Sequence, residues 1–147
     1  MKLTEKPTYR ALNTYTKLMR AAESVTSRVH RVLVAPKLTI SQFGVLEALY
    51  HKGPLCQRDI GSKILKSSGN ITLVIDNLEK QSLVSRVRDE SDRRYFTINL
   101  TESGTDLISK VFADVEAAIV TEMASLEEDE QEILGQLCKK LGKKGGS

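Results

Sequence analysis

The chain has 147 residues, 40% of them apolar and 28% charged, with a formal charge of +3. That length suits one domain with helical extensions and enough apolar material for a core. No apolar run approaches the roughly 20 residues needed to cross a bilayer, and the N-terminus lacks a signal-peptide core. Cys56 and Cys138 stand alone and far apart, which argues against a disulfide framework and for a reducing cytoplasm.

Charge is unevenly spread. Residues 1–37 carry Lys2, Lys6, Arg10, Lys17, Arg20, Arg28, Arg31 and Lys37 against Glu5 and Glu23. Residues 102–132 are acidic, with Lys110 the one base. An acidic segment repels a phosphate backbone, so it should lie away from nucleic acid or pair with the basic N-terminal helix. Both runs also read simply as solvated helix faces.

In chain order, Leu12, Tyr15, Leu18, Met19, Ala22, Val25, Val29, Val32 and Leu33 recur at three and four residues. The spacing predicts a long amphipathic helix over about 8–35, closed by Pro36. Its apolar stripe exceeds the needs of a small domain and suits a second subunit. Thr39 with Gln42 forms a capping box, and Leu38 with Phe43 a hydrophobic staple, opening a helix that stops at Gly53-Pro54. Leu55 is expected to pair briefly with a later hairpin. Cys56 takes the N-cap place of a short helix in which Ile60 and Ile64 face inward, and Lys66-Ser67 makes a turn.

The next helix sets Ile71, Val74, Ile75 and Leu78 on one face, with Ser67 or Ser68 as its cap. Its other face, at Ser67, Ser68, Asn70 and Thr72, is short and polar. Leu83 and Val87 then lead to a charged tip at 88–94, and Phe96, Ile98 and Leu100 recur at period two. Thr101 caps a helix with its stripe at Leu107, Ile108, Val111, Phe112, Val115, Ala118 and Ile119. Ser125 with Glu128 makes a second capping box for a last helix carrying Ile133, Leu134, Leu137, Cys138 and Leu141, ended by Gly142.

The expected fold is mainly α (α+β): a winged helix-turn-helix of six helices and one β-hairpin wing. Residues 1–37 and 102–142 form the helical dimerisation region and 38–101 the DNA-binding domain. Residues 143–147 are a disordered tail. A helix with small polar groups at its start, beside a hairpin tipped with arginines, can fill two grooves of one duplex.

At Asp92-x-Arg94 with Leu100-Thr101 following, and at Leu38-Thr39, Gln42-Phe43, Leu78-Glu79 and Leu83-Val84, the chain resembles the MarR family of bacterial transcription regulators. Leu49 to Gly53 and Ile60 to Thr72 look similar to its quinone-responsive MhqR-like branch. The resemblance implies a homodimer with interlocked terminal helices, reading a pseudo-palindromic operator in double-stranded DNA. Arg94 resembles the family's wing arginine, which enters the minor groove, and Asp92 the carboxylate that orients it. A guanidinium suits that narrow, negative groove. Ser68, Asn70 and Thr72 would meet base edges in the major groove, with Ser67 on the backbone. Lys63, Lys66, Arg86, Arg88 and Arg93 would neutralise phosphates. The resemblance also implies release from DNA by a small aromatic or electrophilic effector, for which Tyr15, Met19, Phe43 and Phe112 are candidates. All four are equally well explained as core.

The chain departs from the family pattern twice. Leu73 stands where many members carry a basic residue, which removes one strong DNA contact. Cys56 stands where many carry Ser or Thr as N-cap. A helix N-terminus favours a thiolate, so a redox-sensing repressor acting through Cys56 is one alternative, against a small half-buried residue with no duty. Cys138 reads as packing. His30 and His51, with the two cysteines, lack the spacing of a zinc site, and no cofactor or metal is expected. No phosphate loop, paired carboxylate or nucleophile elbow supports an enzyme. The remaining alternative is a winged helix used for protein contact without DNA.

Overall fold

The computed structural model describes residues 2–64 and 70–143, the side chains of Leu3, Lys63 and Ile64 excepted. The expectations placed on Leu65 to Gly69, and on the tail beyond Lys143, lie outside these residues. Six α helices and three strands follow in the order α1 (Pro7–His30), α2 (Ile40–Lys52), β1 (Leu55–Cys56), α3 (Gln57–Ile64), α4 (Ile71–Lys80), β2 (Val84–Arg88), β3 (Phe96–Leu100), α5 (Glu102–Met123) and α6 (Glu128–Gly142). No helix among them is long and apolar enough to cross a membrane. The chain divides into two compact units, Met1–Val29 with Glu116–Ser147 and His30–Val115, so the division falls within α5.

In the second unit, α2 starts where its capping box predicts. The Thr39 hydroxyl accepts from the Gln42 N–H at 3.0 Å, and the Gln42 side chain accepts from the Thr39 N–H at 2.9 Å. The helix ends at Gly53, whose φ of 79° is open to glycine at little cost. Val45, Leu46 and Leu49 of α2 are buried with Ile60 of α3, Ile75 and Leu78 of α4, and Ile98 of β3. Helices α3 and α4 and the strands pack around this core and against one another.

The sheet has the order β1-β3-β2, antiparallel throughout. Leu55 sits opposite Ile98, the brief pairing that its place after Gly53-Pro54 suggests. Arg86 faces Ile98, Val84 faces Leu100 and Arg88 faces Phe96. Directly opposed residues share a face, so Val84 is the inward apolar residue of β2. Val87 points the other way and is exposed.

Three boundaries differ from expectation, each for a local reason. The first helix ends at His30 and tightens into a 3-10 turn over Arg31–Leu33. A proline at 36 clashes with helical backbone before it, and Lys37 adopts a left-handed φ of 59° to leave the turn. Helix α4 is capped by Asn70, whose Oδ1 accepts from the Thr72 and Leu73 N–H groups at 3.0 and 3.4 Å. Helix α6 starts two residues later than the Ser125 box implies. The Ser125 and Leu126 N–H groups bond back to the carbonyls of Glu122 and Met123, finishing α5. Glu127 is the N-cap, and the Glu130 carboxylate accepts from its N–H at 2.9 Å.

The first unit holds the helical ends of the chain. Arg28 of α1 donates from Nε to Glu122 of α5 at 2.6 Å, so base and acid do pair between the two charge-biased segments. The contact is half exposed and contributes about 1 kcal/mol or less.

Wing, loop and α5 meet at one crowded point. Thr101 donates its hydroxyl to the Ser82 carbonyl at 2.6 Å and accepts from the Gly104 N–H at 3.0 Å. A Cβ on Gly104 would lie 2.0 Å from the Leu83 carbonyl oxygen. Backbone cannot yield as a flexible side chain does. Gly104→Ala should therefore destabilise the chain by about 1–3 kcal/mol or more, read as a lower urea midpoint at unchanged slope.

Candidate nucleic-acid interface

The hairpin between β2 and β3 is built around two aspartates. Asp89 Oδ1 accepts from the Ser91 N–H at 2.8 Å, the Ser91 hydroxyl at 2.6 Å and the Asp92 N–H at 3.3 Å. The Tyr95 N–H closes the tip onto the Asp92 carbonyl at 3.1 Å. These bonds hold the Asp89 carboxyl below the usual carboxylate range, the Ser91 hydroxyl contributing most.

Asp92 then grips Arg94. Its Oδ1 accepts from Arg94 Nε at 3.0 Å and from the Arg94 N–H at 3.1 Å, and its Oδ2 from Nη2 at 2.8 Å. Such a two-pronged contact fixes direction as well as charge. The Arg94 side chain remains 80% exposed. The Arg94 side chain, and secondarily its N–H, hold the Asp92 carboxyl below its usual range. Arg88 lies 4.6 Å over the Phe96 ring and donates to the Arg93 carbonyl, while Arg93 itself is exposed.

Arg58 and Tyr95 join this tip without any sequence signal that marked them. Arg58 of α3 sits 4.8 Å over the Tyr95 ring and donates to its hydroxyl at 3.3 Å, and Arg94 lies 5.7 Å from the same ring. One aromatic ring thus links helix and wing through two cations.

Arg86 does not serve as a free phosphate cation. Its Nη1 meets Asp76 at 2.5 Å and Glu79 at 3.3 Å, its Nη2 donates to the Thr72 carbonyl at 3.3 Å, and its Nε to Gln57 Oε1 at 3.3 Å. With its side chain 17% exposed, it bolts β2 to α4. Asn70 is likewise committed, since its oxygen caps α4 and a bidentate adenine contact would break that cap. Thr72 is exposed, and its hydroxyl accepts from Gln57 Nε2 at 3.0 Å. Leu73 beside it is exposed too.

Of the effector candidates, Tyr15 and Met19 lie exposed on α1 in one unit, and Phe43 and Phe112 belong to the other. Phe43 is core. Phe112 packs edge-on to His51, with ring centres 4.6 Å apart, and tilts against Tyr50 at 6.2 Å. Cys56 is half-buried and lines a cleft of about 220 Å³ with Gln57, Arg58, Ile71, Arg94, Tyr95 and Phe96. Cys138, expected to be packed, is exposed and lines a cleft with Leu134, Leu137 and Leu141 of α6 and Leu18 of α1. Among the described residues no three His, Cys, Asp or Glu side chains gather as a metal site.

A family model described as MarR family matches residues 38–96, which span the helix-turn-helix and most of the wing. The HTH-type transcriptional regulator MhqR of Bacillus subtilis (strain 168) is 36% identical over 135 residues, covering 92% of this chain and 93% of that protein. Two solved structures share the fold. A putative MarR-like transcription regulator from Bacillus cereus ATCC 10987 gives a TM-score of 0.82 at 17% identity, over 91% of this chain and 96% of that one. BpsR of Bordetella bronchiseptica, described with regulation of its DNA binding by 6-hydroxynicotinic acid, gives 0.76 at 22% identity, over 97% of both. These proteins are regulators rather than enzymes. The chain belongs to the MarR family of DNA-binding, winged helix-turn-helix transcription regulators.

Proposed function

We propose that this chain is a cytoplasmic, homodimeric repressor that reads a pseudo-palindromic operator and leaves it when a small aromatic or electrophilic ligand binds. In this reading the start of α4 enters the major groove, and the wing tip enters the neighbouring minor groove. Thr72 is the base-reading residue on the described part of α4, with Ser67 and Ser68 beside it in sequence. Arg94 is the minor-groove residue, and Arg58, Arg88, Arg93, Lys63 and Lys66 would neutralise phosphates.

The observation that carries this reading is the Asp92–Arg94 grip on a side chain that stays 80% exposed. As a stabilising ion pair it is worth little at such exposure. As a positioning device it has a clear use. Fixing a free arginine costs up to about 2 kcal/mol of rotamer freedom, and a two-pronged carboxylate meets part of that cost before DNA arrives.

A homodimer is supported by apolar surface that one chain leaves uncovered. Leu12, Tyr15 and Met19 of α1, Ile119 and Val120 of α5, and Ile133, Leu134, Leu137 and Leu141 of α6 are all exposed, and all belong to the helical unit. Full burial of such side chains is worth roughly 1.5–3 kcal/mol each. Several of them, each counted twice by symmetry, outweigh an association cost of about 4–15 kcal/mol. Release by a ligand then means favouring a spacing of the two α4 helices that misses the half-sites. BpsR supports an aromatic acid as the kind of ligand to try first. A second reading has one observation in its favour: the Cys56 thiol borders the cleft that Arg94 and Tyr95 also line, so its oxidation would press on the wing.

Footprinting and anisotropy on the intergenic DNA upstream of the gene test the reading. Arg94→Ala should weaken binding by about 1–3 kcal/mol and lower the salt slope by roughly one ion. Unchanged binding would favour a protein-contact role. The native protein should sediment as a dimer of 16.3 kDa chains, and Leu137→Glu should shift it toward monomer. For Asp92 the folded value lies below the unfolded one. Its grip therefore stabilises the wing above the unfolded value and is lost as pH falls through the folded one. A carbon-13 titration of its carboxyl should give a midpoint below the usual range, rising toward that range in Arg94→Ala, which keeps only the backbone N–H bond.

A further inference from the structure

The contacts of Gln57 decide which way a neighbouring proton points. A guanidinium carries only donors, so the Gln57 oxygen must face Arg86, whose Nε lies 3.3 Å from it. The amide nitrogen is thereby turned to Thr72, 3.0 Å from Oγ1. An amide nitrogen donates and does not accept. The Thr72 hydroxyl is therefore the acceptor in this contact, and its own proton points elsewhere. Arg86 cannot swing away to relax the arrangement, because Asp76, Glu79 and the Thr72 carbonyl hold its remaining nitrogens. Thr72 itself is exposed in the first turn of α4.

We propose that Gln57 is a positioning residue for base recognition: through the Arg86–Gln57–Thr72 relay it occupies one acceptor lone pair of the Thr72 hydroxyl and biases that group toward donating into the major groove. This rests on the reading above that α4 enters that groove. Guanine, thymine and adenine each offer an acceptor there, whereas cytosine offers its amino donor. The relay thus disfavours cytosine at the base facing Thr72. A free hydroxyl offers two lone pairs beside its proton, whereas here Gln57 takes one of them.

Gln57→Glu inverts the relay without breaking it. A carboxylate accepts from Arg86 and also from the Thr72 hydroxyl, so the proton turns inward and the lone pairs face the groove. The test is selection of the full-length wild type and its variants on a pool of duplexes with a randomised half-site, with melting temperatures read alongside. Wild type should under-represent cytosine at one position. Gln57→Glu should raise the cytosine-to-guanine ratio there by about fivefold or more, the low end of one base-edge contact. Its added negative charge should weaken all sequences uniformly, which is separable from a change at one position. Gln57→Met, which frees the hydroxyl, should give an intermediate ratio, and Thr72→Val should erase the preference.

An unchanged ratio in Gln57→Glu and Gln57→Met, with operator selection intact, overturns the relay and leaves the DNA-binding reading standing. A Thr72→Val profile identical to wild type does the same. Failure of wild type to enrich any duplex removes the reading itself, and the relay with it.

Discussion

One guanidinium joins the two parts that must act together. Arg86 leaves β2 and meets acceptors on α3 and on three turns of α4, from the Thr72 carbonyl to Glu79. A helix in one groove and a hairpin in the next are useful only at a fixed separation. Packing of Ile75 and Leu78 fixes the depth of α4 in the domain, but apolar contacts slide more easily than directed ones do. The Arg86 bonds remove that freedom. Breaking a well-buried pair on one side costs about 3–5 kcal/mol. Asp76 and Glu79 are more than a third exposed on their side chains, so the energetic stake here is smaller and the geometric one dominates.

Much of this was legible in the sequence, and the misses share a cause. Apolar periodicity placed the helices, Thr39 with Gln42 placed the start of α2, and Asp92-x-Arg94 placed the grip at the wing tip. Arg86 was misread as a phosphate contact because a basic residue on a short polar strand reads as surface. The alternation held the correction. Val84 is inward, so Arg86 two residues on shares its face, opposite Ile98. An inward arginine needs acids, and Asp76 and Glu79 stand three apart on the preceding helix. Asn70 shows a similar ambiguity, as a cap and a base reader are the same residue type at nearly the same place. Residue type alone could not separate the two duties. The cap position of α4 could.

The Leu100-Thr101 pair, which carries much of the family resemblance, turns out to be structural. Thr101 ties the end of β3 to the left-handed Ser82 (φ 61°) and starts α5 in the same stroke. Gly104 completes the knot by having no side chain to offer. So the segment read as one DNA-binding signature divides in two. Its first half aims a cation outward, and its second half locks the hairpin to the helix that leaves it.

Arg86 and Arg94 lie eight residues apart on the same hairpin and meet opposite fates. The difference comes from register and from the number of acceptors. Arg86 is at an inward strand position, 17% exposed, with two carboxylates and two neutral oxygens around it. A phosphate arriving from solvent would have to displace all of them. Arg94 is at the tip, 80% exposed, with one carboxylate. Solvent at that exposure leaves the single attraction little net worth, so the contact aims the cation without shielding it from a polyanion. Charge count alone would treat these arginines as equivalent. Burial and partner number separate a residue that holds the domain together from one that is held out toward solvent.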